Sequence, residues 1–469
     1  MKKRTLFVTS AVVFSMFVAA EAQAAGTAVD VNDARATGMA SAVIANVDDS
    51  SGVFFNPAGI ARGKGVIDAR IGGTAIVPSF NYRSPSGNKT WVDFYIVPPP
   101  HVYFAYGITD WLTVGIGEFS PYGLRIKWPS DWDGRRLNQD VKLYTYYFNP
   151  TVTFRYGPVR IGGGFQLVRG TVELQRAISF GSSEGQIHLG AGAWGVGGNG
   201  GIQVDAIKQY LTLGFTYRSA VKLNFNDGNA HFSGVPIGFQ STLHDQKAST
   251  SLTQPDTFGV GVASRPIKRL LIEGDIVWYN WSQFRSIDIN FPDDPTGTLS
   301  THQATNWNNK VNYHLGGEGE IDDHWRVRAG ALLDPSPAPK ETLSPIIPDA
   351  TRLNLAIGAG YVHELGFRVD AGYQFLVLFR KDTTFPAFPG DYGGFANLLG
   401  VTVGYQTPME KKTEPSVPAV EPPPAAPTEP APTPSGEPPP AGQVPGTTPI
   451  EPTTPPAPPT PPTRTTPNP

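Results

Sequence analysis

Two carboxylates, Glu273 and Asp275, stand two residues apart in the alternating segment from Leu271 to Trp281, and an extended strand would project both from one face. Such a pair is the raw material of general acid and base catalysis or of glycoside hydrolysis. Neighbouring segments carry further Arg and Asp on the same kind of face, so here the pair reads as lining of a polar channel or as partners for a plug. The string Gly190-Ala191-Gly192-Ala193-Trp194-Gly195 spells G-x-G-x-x-G, but it lies in a Gly-rich strand with no helix after it, which argues against a dinucleotide site. The 8 His are scattered without the pair spacing of a zinc site, and there is no Cys for a disulfide or a thiolate. No catalytic residue, metal or cofactor is expected: the chain does not read as an enzyme.

The elements that would position these residues belong to an exported protein. Lys2, Lys3 and Arg4 precede an apolar run from Leu6 to Ala20 that is too short to span a bilayer, and Ala22-Gln23-Ala24 forms an A-x-A cleavage site. Residues 1–24 therefore read as a signal peptide. After them no run of about 18 apolar residues offers a membrane helix. The 469 residues include 52 Gly, 26 Phe, 17 Tyr and 9 Trp, which suits a periplasmic globule or an outer-membrane barrel. A net charge of −3 gives no argument for a nucleic-acid partner.

Period-two alternation runs through the rest of the chain. Tyr144, Tyr146, Phe148, Val152, Phe154 and Tyr156 share one face, and Thr145, Tyr147, Asn149, Thr151, Thr153 and Arg155 the other. The same pattern recurs at Leu211–Arg218, Trp325–Ala329 and Phe367–Phe375, with Arg and Asp on the polar face. A soluble sandwich buries its apolar faces, whereas a membrane barrel turns them to lipid and keeps Arg and Asp in a polar lumen. Strands of about ten residues with aromatics at their ends favour the barrel, with room for roughly 12 to 16 strands.

Four regions follow: the leader (1–24), a small-residue segment (25–65), the strand array (66–406) and a tail (407–469). The second is too rich in small residues to be a core element, and its place before a strand array suits a plug. The tail holds 23 of the 46 Pro in its last 59 residues and no aromatic residue, so it is expected to be disordered or polyproline-II-like.

Gly38 to Asp49, Phe55-Asn56-Pro57-Ala58-Gly59, Ser120-Pro121-Tyr122-Gly123-Leu124, Asp131-Trp132-Asp133-Gly134-Arg135, Tyr217-Arg218-Ser219 and Trp325-Arg326-Val327-Arg328-Ala329-Gly330 occur in that order along the chain. In order and spacing they resemble the FadL-type outer-membrane transporters of long-chain fatty acids and other hydrophobic compounds (OMPP1/FadL/TodX), over almost all of residues 25–406. The resemblance implies an all-β protein: a 14-stranded antiparallel transmembrane barrel with an N-terminal hatch in its lumen, in the Gram-negative outer membrane and in contact with its lipid. Asn56, Pro57 and Ala58 would belong to the hatch, where Pro57 fixes a turn and Asn56 satisfies backbone groups. Pro121, Tyr122 and Gly123 would frame a lateral opening at a kink in the third strand, since Pro removes a ladder donor and Gly permits a bulge. Arg176 would hold a fatty-acid carboxylate.

By the same resemblance the ligand is a long-chain fatty acid or another hydrophobic small molecule, moving by diffusion and leaving through the wall. An aromatic or alkane hydrocarbon is the alternative, as is a structural or surface-interaction barrel tethered to the envelope by its tail. The pattern is departed from in three places. The family's aromatic residue near the mature N-terminus is absent, Ala25-Gly26-Thr27 standing there. The second basic residue of the family falls near Gln303, with Lys310 the nearest cation, and the tail has no counterpart. With both ends of an even-stranded barrel in the periplasm, the tail is expected there, in reach of a periplasmic protein or the cell wall.

Overall fold

A computed structural model describes residues 27–294 and 299–408; the leader and the Pro-rich tail from Met409 onward fall outside them. The barrel starts with β1 (Ile67–Arg83), β2 (Lys89–Trp91 and Pro100–Gly107), β3 (Leu112–Phe119 and Gly123–Lys127) and β4 (Asp140–Tyr156). Two long strands follow, β5 (Val159–Ser179) and β6 (Glu184–Ile207). The next four are each interrupted: β7 (Leu211–Arg218 and Val221–Ser233), β8 (Gln246–Gln254 and Thr257–Ile267), β9 (Leu270–Tyr279 and Ser286–Asn290) and β10 (Thr301–Ala304 and Lys310–Glu320). The last four are β11 (Trp325–Asp334), β12 (Arg352–Val362), β13 (Phe367–Thr383) and β14 (Gly390–Gln406).

A structure that crosses lipid must satisfy every backbone polar group internally, and a sheet does so only by closing on itself. Here β1 pairs antiparallel with β14 from Asp68 opposite Gln406 to Arg83 opposite Asp391, which closes a 14-stranded barrel. β14 begins at Gly390, and Gly393 and Gly394 sit within its ladder opposite Asn81 and Phe80. The segment expected from Leu271 to Trp281 ends at Tyr279, and Trp281 opens a short 3₁₀ turn.

Burial settles which face is which. Phe148, Val152 and Phe154 of β4 are exposed, whereas Thr145, Asn149 and Thr153 of the alternate face are buried. An apolar exterior around a polar interior is the arrangement of a membrane barrel. Cross-strand aromatic pairs mark one rim: Trp111 with Phe154, Trp325 with Tyr361 and Phe367 with Tyr405. The strand connections at that rim are short, and both ends of the barrel chain lie there, so this is the periplasmic side.

The segment before β1 folds inside the lumen. It carries two short helices, α1 (Ala34–Gly38) and α2 (Gly52–Phe55), and a 3₁₀ turn over Pro57–Ile60. Met39, Ala40, Asn56 and Ala58 are fully buried. Its small residues let backbone approach the barrel wall, where glycines such as Gly162, Gly201, Gly316 and Gly330 face it.

Candidate functional site

The hatch is held by charges that the wall strands alone could supply. Arg70 of β1 pairs with Asp33 of the hatch (2.9 Å) and with Asp370 of β13 (2.8 Å). Arg328 of β11 bonds Asp370 (2.8 Å) and Glu318 of β10 (2.6 Å), and Glu318 also meets Arg35 of α1 at 3.3 Å. Alternation had placed Arg328 and Asp370 on the polar face; it carries no information about which residues of other elements they meet, and Arg35 lies in no strand. The carboxylates Glu273 and Asp275 of β9 join the same task. Asp275 accepts from the backbone N–H of Val43 (2.8 Å) and of Ile44 (3.0 Å), and Glu273 from that of Ala45 (2.6 Å).

Asn56 caps the turn that Pro57 begins, accepting from the N–H of Ala58 at 3.1 Å. Its amide donates to Ile44 O at 2.8 Å and to Ile202 O of β6 at 3.3 Å, and Pro57 O accepts from Thr153 of β4 at 2.6 Å. Asn56, Pro57 and Ala58 thus sit against β4 to β6. They do not bond the break in β3.

That break has a different partner. β4 pairs with both halves of β3, Tyr147 opposite Phe119 and Tyr144 opposite Gly123, so Ser120, Pro121 and Tyr122 stand outside the ladder. On the other side the β2–β3 ladder stops at Val102 opposite Glu118. It resumes only in a bond from Asp93 N to Lys127 O (2.8 Å), because the chain between them turns towards β1, where Val97 bridges Ile76. The backbone ladder therefore has a gap, or window, between residues 94–100 and 120–126, which the Tyr95 side chain spans by donating to Arg125 O (2.5 Å). The very start of the hatch covers it from inside: Val29 N donates to Pro121 O (2.8 Å) and Gly123 N to Thr27 O (3.0 Å).

Two cavities lead to this place. The outer one, about 110 Å³, is walled by Leu143, Leu174, Leu189, Phe225, Leu252 and Ile289, with no charged residue in its lining. The second, about 300 Å³, shares Leu124 with the first and touches both lips of the window, Val97 and Ile126. It is lined by inward Asn354 and Gln374 and by outward Tyr144 and Tyr146, so it reaches both faces of the wall.

The family model described as "Outer membrane protein transport protein (OMPP1/FadL/TodX)" matches residues 15–406. The chain belongs to the OMPP1/FadL/TodX family. This FadL-family barrel is similar to the long-chain fatty acid transport protein of Escherichia coli K12, at 26% identity over 429 residues, which cover 80% of this chain and 93% of that one. The namesake from Salmonella typhi is 26% identical over 416 residues, with 80% and 93% covered. Among solved structures, a Pseudomonas aeruginosa FadL homologue superposes with a TM-score of 0.70 at 20% identity, covering 81% of this chain and 99% of the other. The Pseudomonas putida toluene transporter TodX gives 0.63 at 15%, covering 83% and 99%. The protein is an outer-membrane transporter of hydrophobic molecules.

Within this FadL-family barrel, Arg176 lies on the inward face of β5, two residues beyond the cavity-lining Leu174. Its guanidinium donates to Arg136 O at 3.4 Å and has no carboxylate partner among the described residues. Its neighbours differ, since Glu184 holds Arg135 (2.8 Å) and Arg136 (2.9 Å). Gln303 bonds Ser344 (2.6 Å), and Lys310 is buried against Asp334 (2.5 Å), so neither supplies a second free cation. The break at Pro121, Tyr122 and Gly123 was legible from residue types; its opposite lip, Val97 to Pro100, gave a weaker signal in its proline run.

Proposed function

We propose that this barrel takes up long-chain fatty acids, which bind the outer cavity with the carboxylate at Arg176 and leave sideways through the window in β3. The observation that carries the reading is a guanidinium without a carboxylate partner, placed beside a cavity without charge. Burial of an acyl chain in such a cavity contributes roughly 0.8 kcal/mol per methylene, and an unpaired Arg suits a carboxylate bidentately. Diffusion down a gradient with displacement of the hatch start at Thr27 to Val29 needs no nucleotide. A lateral route keeps the methylenes out of water from cavity to membrane.

A second reading, uptake of aromatic or alkane hydrocarbons, is favoured by the same uncharged lining and by the lack of a second free cation beside Arg176. The likeness to long-chain fatty acid transport proteins supports the first reading, and the likeness to the toluene transporter TodX the second. The tether proposed for the tail lies outside the described residues. A host lacking its own fatty-acid uptake barrel, complemented with this chain, tests the choice: growth on oleate is expected. Failure on oleate together with toluene uptake would replace the first reading by the second.

A further inference from the structure

Arg218 ends the first half of β7, at the point where the strand breaks before Val221. It is buried, and its guanidinium lies against three rings: Phe54 of α2 at 4.6 Å, Phe119 of β3 at 5.2 Å and Tyr147 of β4 at 6.0 Å. One terminal nitrogen, Nη2, donates to Phe54 O at 2.7 Å. The other, Nη1, has no hydrogen-bond partner, and no carboxylate stands within ion-pair distance among the described residues. Arg35, Arg70 and Arg328 below it are each neutralised by carboxylates. Ring faces offset part of the desolvation of a guanidinium, but a buried charge with an empty donor is an unfavourable resting arrangement.

The space beside it is shaped for a small anion. A third cavity of about 70 Å³ is lined by Arg218, by Phe54 and Phe55 of the hatch, by Pro121 and Tyr122 of the break, and by His314. His314 Nδ1 bonds Ala40 O at 2.8 Å, and its Nε2 is a second buried polar atom with no partner. The volume has room for a small polar headgroup. Asp30 and Tyr122 line both this cavity and the 300 Å³ one that reaches the window. Asp30 is the one anion in the lining, and its carboxylate accepts from Tyr279 at 3.0 Å.

We infer that Arg218 is an inner binding residue for the anionic headgroup of an amphiphile in transit. The head pairs with Nη1 in the small cavity while the tail lies past Tyr122 in the larger one, directed at the window. The tail then enters the membrane first and the carboxylate leaves Arg218 last. This inference rests on the fatty-acid reading above and adds a second cation deep in the lumen, separate from Arg176.

The test compares dodecanoate with dodecanol on the purified full-length barrel in detergent, using wild type, Arg176→Ala, Arg218→Gln and Arg218→Lys. In Arg218→Gln, dodecanoate affinity is expected to fall about tenfold or more while dodecanol affinity holds, as loss of a charge-assisted bond implies. Arg218→Lys keeps the charge without the fork, so an intermediate preference is expected, and it serves if Arg218→Gln does not assemble. A preference for dodecanoate that is unchanged in the assembled Arg218 variants overturns the inference, and if Arg176→Ala abolishes it the fatty-acid reading stands. A wild type that binds both ligands equally defeats the fatty-acid reading itself.

Discussion

A β-carbon placed on Gly201 of β6 would lie 2.0 Å from Asn56 Oδ1, inside any van der Waals contact. The wall is glycine there because the Asn56 side chain and the Pro57 ring of the hatch occupy the space of a side chain. One residue earlier, Gly200 faces lipid, and a β-carbon on it would meet nothing closer than 3.8 Å. Gly201→Ala is therefore expected to displace the Asn56 to Ala58 turn and to raise leakage of small hydrophilic solutes in a liposome-swelling assay. Gly200→Ala is expected to leave leakage unchanged. Equal behaviour of the two variants would show that this contact does not seat the hatch.

The loop from Val43 to Ala45 offers a second handle on the same plug. Asp275→Ala leaves the N–H groups of Val43 and Ile44 without their acceptor in a buried site. Each orphaned donor costs about 1–3 kcal/mol, enough to raise the open population of a local element many-fold. Amide exchange at Val43 and Ile44 is expected to accelerate while strand amides of β4 to β6 keep their protection. Uniform loss of protection across the barrel would instead place Asp275 in global stability.

Local chemistry made part of this arrangement readable in the sequence, and contacts between distant elements hid the rest. Alternation along β4 correctly separated Phe148 from Asn149, because period two is a local property of an extended strand. Pro121 and Gly123 announced a broken ladder for the same local reason. The pairing of Arg70 with Asp370 could not be read, since it joins residues 300 apart that only barrel closure brings together. The contact of Val29 with Pro121 was hidden too, because it depends on the path of the hatch through the lumen.

Buried charges around the hatch predict an asymmetry between removing one partner and removing a pair. Asp370→Asn strips a carboxylate from both Arg70 and Arg328, which keep Asp33 and Glu318 respectively. Breaking a buried ion pair from one side costs roughly 3–5 kcal/mol, so the urea midpoint for exposure of a cysteine label placed at Ala36 should fall clearly. The double variant Asp370→Asn with Arg328→Met removes the unpaired charge as well and is expected to recover part of the loss. If the double variant loses the full sum of both single effects, the two residues are not coupled across β11 and β13.

The window in β3 makes the last prediction. Three residues of β3, Ser120 to Tyr122, stand opposite two of β4, Thr145 and Tyr146, so the strand carries one residue more than the ladder can pair. Deleting Pro121 restores equal numbers and returns a backbone donor, which lets β3 run straight beside β4. The hatch start at Thr27 to Val29 then loses the free groups it now bonds. The deletion is expected to preserve assembly, read as the heat-dependent shift in gel mobility, and to preserve dodecanoate binding in the outer cavity, whose lining it leaves in place. Uptake of oleate into cells should fall to the level of a strain without the barrel. Uptake at the wild-type rate in an assembled deletion variant would mean that ligands leave by another path, and the lateral route would have to be given up.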